Sequence, residues 1–174
     1  MRGVAALLRH LLAVVLVCLG TAQVAAEPAL DNALRAAREV FNRAAPALSG
    51  TIMGVDTASY AAALLRQQTP DGALQFVIET NENGSCRKFA AYVGRVDGTA
   101  DTFLFLCPQF FMPGADALRV TTILHELVHV VAGPDECRAM AYAAHLEMLA
   151  NGRFQPVEAY WQRNGCASSR YRLP

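Results

Sequence analysis

The chain has 174 residues, with Lys+Arg and Asp+Glu balanced at 15 each and 53% hydrophobic residues. An even charge balance with no basic run argues against nucleic acid or an anionic membrane surface as the main partner. Beyond the first 26 residues no stretch approaches the roughly 18 uncharged apolar residues that a membrane span needs, so the remainder has the length of one domain with one core.

The first elements follow in chain order. Arg2 and Arg9, the apolar run Leu11 to Leu19 and the small-residue segment Thr21 to Ala26 read as an export leader. Cleavage after Ala26 leaves residues 27–174 as a single periplasmic or secreted domain. Pro28 to Ala45 has one apolar stripe (Leu30, Leu34, Ala37, Val40, Phe41) and predicts a helix. Gly50 to Val55 reads as a strand and Ala58 to Gln67 as a helix, ended by the turn Thr69-Pro70-Asp71-Gly72. Leu74 to Thr80 predicts a strand, and Asn81-Glu82-Asn83-Gly84 a loop. Lys88 to Val93 and Thr102 to Leu106 predict two further strands around an Asp97-Gly98 turn. Ala115 to Ala132 predicts a helix, stopped by Gly133-Pro134. A second helix runs from Pro134 to Asn151, and Pro156 to Gln162 forms a short last one. Strands in the middle with helices at both ends make the pattern α+β.

With the leader removed, four cysteines remain: Cys86, Cys107, Cys137 and Cys166. In an oxidising compartment they favour two disulfides, and no C-x-x-C pair points to a zinc cluster instead. Cys86 and Cys107 lie almost symmetrically about the Asp97-Gly98 turn, where facing residues of a hairpin fall. That leaves Cys137 for Cys166, with a free, nucleophilic Cys137 as the other reading.

The chemistry concentrates in His125-Glu126-Leu127-Val128-His129. Four residues of helix advance about 400°, so the two His side chains leave one face together and can reach one ion about 2 Å away. Glu126 lies about 100° round from His125, placed to flank the ion and take a proton from water without being a ligand. Val120, Ile123, Leu124, Leu127, Val128, Val130 and Val131 make this helix too apolar for a solvated surface element. Its polar residues therefore need a partner, and a metal supplies one.

Zinc in a catalytic site takes three protein ligands. His145 is out of phase with the start of its helix and reads as an ordinary histidine. Glu136 heads the inner stripe of the second helix with Ala139, Met140, Ala143 and Leu146, and is the preferred third ligand. Asp135 is the runner-up, with helix capping as its plainer role. Glu147 shares the stripe but lies about 16 Å further along the axis. Tyr142, Tyr160 and Arg138 are candidates to steady an oxyanion, each with an ordinary structural reading beside it.

His125 to His129, followed by Gly133-Pro134-Asp135-Glu136-Cys137-Arg138-Ala139-Met140-Ala141, resembles the zincin metallopeptidases. It is most similar to an uncharacterised group of exported bacterial proteins classed with them. The resemblance spans roughly Leu118 to Leu149 and implies a motif helix against a small sheet, with an acidic third ligand on the next helix. The short interval is similar to that of deuterolysin-like enzymes, in which an Asp after the motif is the ligand, but their Gly-Thr-x-Asp-x-x-Tyr-Gly sequence is absent. Against the metzincin pattern, Ala132 occupies the Gly position and Asp135 the third-His position. The expectation is thus a zincin-like α+β domain, a small antiparallel or mixed sheet packed on the motif helix. One Zn²⁺ is held by His125, His129 and Glu136, with Glu126 as base and a peptide or protein as substrate. The alternative is an exported metal-binding or inactive domain that acts through a protein partner.

Overall fold

The computed structural model describes residues 26–82 and 84–174. The predicted leader, apart from Ala26, and Asn83 of the predicted loop lie outside the described residues. Ala33–Pro174 forms one compact unit. Residues 26–44 are helical. The part from residue 33 onward, α1, buries Leu34, Ala37, Val40 and Phe41, as the apolar spacing predicts.

The expected strand Gly50 to Val55 is instead a tight hairpin of β1 (Thr51–Ile52) and β2 (Val55–Asp56). Met53 and Gly54 both have positive φ, at 54° and 78°, which is the backbone of a two-residue hairpin turn. Helix α2 (Thr57–Arg66) starts where the Asp56 carboxylate accepts the Ser59 N–H at 2.8 Å. It ends on a left-handed Gln67, and the predicted turn follows, closed by Thr69 N–H to Gly72 O at 2.8 Å.

Strands β3 (Leu74–Ile78), β4 (Ala91–Arg95) and β5 (Thr102–Leu106) form a mixed sheet in the order β3-β5-β4, with β5 parallel to β3 and antiparallel to β4. Cross-strand partners Tyr92 and Phe105 stack with ring centroids 4.8 Å apart. β4 starts three residues later than the expected Lys88, because Lys88 and Phe89 donate their N–H groups back to Ser85 O at 2.9 and 3.0 Å. The resulting turn carries Cys86 to Cys107, with Cα atoms 5.2 Å apart, and Cys137 pairs with Cys166 at 5.3 Å. The expected connectivity is present, but Cys86 reaches its partner from a 3₁₀ turn rather than from a facing strand position.

The remaining helices are α3 (Asp116–Ala132), α4 (Glu136–Asn151) and α5 (Glu158–Arg163). α3 packs on α4, α2, β2 and β4. Ile123, Leu124, Leu127 and Val128 are fully buried, each removal from water being worth about 1.5–3 kcal/mol. Ala139, Ala141, Ala143 and Ala144 of α4 are buried too, and their small side chains let the two helices approach closely. The Tyr60 hydroxyl donates to Leu124 O at 2.8 Å, fixing α2 against α3 one residue before the motif. Arg119 pins the entry to α3 by donating to the Phe110 and Met112 carbonyls, both at 2.7 Å. α4 begins two residues after the expected Pro134, because Asp135 caps it by accepting the Arg138 N–H at 3.0 Å. α5 likewise starts at Glu158 rather than Pro156. The architecture is α+β, and among the described residues no helix is long and apolar enough to cross a membrane.

Candidate metal centre

His125 and His129 project from one face of α3, their rings edge-to-face with centroids 4.7 Å apart. The first residue of α4 meets them. Glu136 Oε2 lies 3.0 Å from His125 Nε2 and 3.4 Å from His129 Nε2, and the two Nε2 atoms are 3.0 Å apart. Together the three side chains could hold a metal ion. A tetrahedral ion with bonds of about 2.0–2.1 Å sets its ligands roughly 3.3 Å apart, which these edges match.

The proton inventory agrees with a cation. His129 Nδ1 lies 3.0 Å from the Gly133 carbonyl, which can only accept, so Nδ1 carries the proton and Nε2 of the neutral ring presents a lone pair to the cluster. An outer hydrogen bond of this kind orients a metal-binding imidazole and raises its basicity. Gly133 provides it from φ 86°, ψ −174°, a backbone conformation essentially confined to glycine. His125 is held differently: its Nδ1 is buried and has no hydrogen-bond partner among the described residues. Packing within α3 and the edge of Tyr160, with ring centroids 5.7 Å apart, fix that ring instead.

Without a metal, the cluster polarises itself. Burial pushes the Glu136 carboxyl up, but bonds from His125, His129 and Tyr160 outweigh it and hold the group well below the usual carboxylate range. Burial lowers His129, and its bonds to Glu136 and to the Gly133 carbonyl more than reverse this, leaving the ring raised. Glu126 is buried beside the pair, and that desolvation pushes its carboxyl above the ordinary range despite the pull of His125 and His129. A base with a raised pKa is better matched to proton transfer near neutral pH.

The other candidates are placed elsewhere. Asp135 caps α4. Glu147 is buried away from the histidines, accepting the Thr121 hydroxyl and the Gln155 N–H, each at 2.6 Å. His145 is half-buried in α4 and not part of the cluster. Tyr142 is fully buried, which raises its hydroxyl to about 12. Arg138 is engaged by the Tyr171 hydroxyl at 3.0 Å and by Ala132 O. Tyr160 is the one of the three that reaches the site. Its hydroxyl donates to Glu136 Oε2 at 2.6 Å, and burial together with that bond keeps the phenol protonated far above its ordinary pKa. Its residue type was the only sequence signal; its 24-residue separation from Glu136 gave no geometric one.

The centre lies in a groove with two lobes. One, of about 250 Å³, is lined by His129, Gly133, Glu136, Tyr92 and Val93 among others. The other, of about 680 Å³, extends past His125 along the start of α3 to α5. Phe89, Ala91, Glu126 and Tyr160 line both, so the His125, His129 and Glu136 cluster sits at the waist. No protein-family model, curated protein or solved structure matches this chain.

Proposed function

We propose that this chain is an exported zinc metallopeptidase with a zincin-like arrangement of motif helix, following helix and small sheet. The observation that carries the reading is the convergence of His125 Nε2, His129 Nε2 and Glu136 Oε2 at tetrahedral spacing, at the waist of a groove that Glu126 also lines. A zinc ion with this ligand set supplies Lewis-acid polarisation and lowers the pKa of water towards neutrality. Glu126, which is not in the ligand set, takes the proton of the attacking water on its carboxylate and returns it to the leaving amine. Tyr160 places an O–H donor beside the same spot, suited to charge developing on a carbonyl oxygen. β4 is an outer strand of the sheet, and its residues Ala91, Tyr92 and Val93 line the groove. An extended peptide can pair with such an edge, which favours a polypeptide substrate over a small ester or amide. The two disulfides favour an oxidising, extracytoplasmic compartment.

The test is metal analysis of purified protein together with Glu126→Gln. About one equivalent of zinc in both forms, with peptide cleavage lost only in the variant, supports a peptidase. A domain that acts through a partner keeps its function in Glu126→Gln. Protein that takes up no zinc overturns the reading.

A further inference from the structure

The two lobes differ in kind as well as in size. Six large apolar side chains are exposed among the described residues, and three of them, Phe89, Met112 and Leu118, line the larger lobe. Buried Met140 and Val157 extend this apolar lining inward. Clustered exposed apolar groups around a concave surface mark a binding site rather than incidental exposure.

The charges on this lobe are one-sided. Lys88 and Arg163 line it, both exposed and neither with an ion-pair partner among the described residues. Arg119 also lines it, but its guanidinium is committed to Phe110 O, Met112 O and Asp116. Glu126 is the sole carboxylate along this lining, whereas the smaller lobe carries both Glu126 and Glu136. Charge complementarity therefore places negative charge on the substrate at the larger lobe.

We infer that the larger lobe is the specificity pocket: it takes a bulky apolar side chain of the peptide, with a carboxylate held beyond it by Lys88 and Arg163. This rests on the peptidase reading and names the substrate class within it. The carboxylate belongs either to an acidic side chain or to the chain end, which offer the same chemistry to the two cations.

The test uses zinc-loaded Glu126→Gln protein and fluorescent peptides followed by anisotropy. A peptide pairing Phe or Leu with Glu binds on the order of tenfold tighter than the same peptide with Lys, and the gap narrows as salt rises. Replacing Phe by Ser, or introducing Met112→Ser with Leu118→Ser at exposed positions, weakens binding by a similar factor. Lys88→Glu with Arg163→Glu reverses the Glu-over-Lys preference. Amidating the peptide's end leaves this preference in place if the carboxylate is a side chain; a Glu peptide that binds no tighter than its Lys counterpart but loses about tenfold on amidation assigns the two cations to the chain end, and either result supports the pocket. Equal affinity for the Glu, Lys and Ser peptides overturns the inference. Digestion of a peptide pool by the unsubstituted protein separates the two levels. Cleavage with no enrichment for apolar and acidic residues refutes the pocket alone, and no cleavage of any peptide refutes the peptidase reading beneath it.

Discussion

Gly133→Ala isolates the outer support of the candidate metal centre. An added Cβ meets nothing within 4 Å, so a steric clash is not the issue. The cost is in the backbone: φ 86°, ψ −174° is a region costing a non-glycine residue about 1–3 kcal/mol. The chain can accept that strain or rotate the peptide away from it, and rotation moves the carbonyl that receives the His129 Nδ1 proton at 3.0 Å. Loss of such an outer partner typically weakens metal binding about 10–100-fold. Gly152→Ala is the control. Its φ 69°, ψ 8° is ordinary left-handed helix at the end of α4, where alanine costs about 1–2 kcal/mol and no metal ligand depends on it. Urea unfolding of metal-free protein and zinc competition against a chelating dye measure the two effects separately. Both variants lose stability, and Gly133→Ala alone loses zinc affinity. If Gly133→Ala keeps full stability and full zinc affinity, the Gly133 carbonyl does not orient His129.

Further outcomes concern ligand and cap variants, pH and the disulfides. Glu136→Ala lowers zinc affinity on the order of a hundredfold or more. Asp135→Ala costs only a cap, about 0.5–2 kcal/mol of stability. Glu147→Ala leaves zinc in place but costs about 2–4 kcal/mol, since two bonds to a buried carboxylate are lost; chelator competition and urea melts of the three variants distinguish these cases. For the metal-free protein, the depressed Glu136 contributes stability above its unfolded pKa of about 4.3, and this is lost as pH falls through the folded value. The raised His129 contributes fully below about 6.5, and this is lost as pH rises through its folded value. Zinc requires the neutral ring, so uptake near neutral pH releases protons and affinity falls on acidification; titration calorimetry in buffers of different ionisation heat would contradict this if no proton were released. Reduction opens loops with separations of 21 and 29 residues, worth about 3.3 and 3.6 kcal/mol by the chain-entropy relation. Thermal stability unchanged by reductant would show that neither disulfide constrains the fold.

What the sequence conveyed follows from how local each feature is. Two His four residues apart on an apolar helix share a face whatever packs around them, so His125 and His129 need no tertiary information. Glu136 needed one fact more, that the Gly133-Pro134 break returns the chain towards α3. It was legible although the start of α4 was placed two residues early, because Glu136 lies in the first turn of the helix, beside that break, in either case. Glu147 shows the limit of helical phase. It shares an inward stripe, as expected, but the interior it faces is the Thr121 and Gln155 end of the helix pair. The hairpin within residues 50–56 was missed because two consecutive positive-φ residues, one of them Met53, leave little mark on a β-branched run. Tyr160 was the least legible, because its place depends on the chain path from Gly152 to α5.

That path explains why the disulfides lie where they do. The two helices α3 and α4, packed on each other, carry His125, His129 and Glu136. The groove walls do not have that support: residues 84–90 form a turn and short coil, and α5 has only six residues. Each wall is tied covalently to a firmer element. Cys86–Cys107 fastens the segment leading to Phe89 onto the end of the central strand β5. Cys137–Cys166 fastens the chain beyond α5 onto the first turn of α4, at the residue next to Glu136. Buried Trp161 and Tyr171 add an apolar contact around Met140 and Ala141 to that second fastening. Tyr160, on this wall, thereby meets Glu136 without a long helix to position it. Reduction should therefore loosen substrate binding and Tyr160 before it releases the metal.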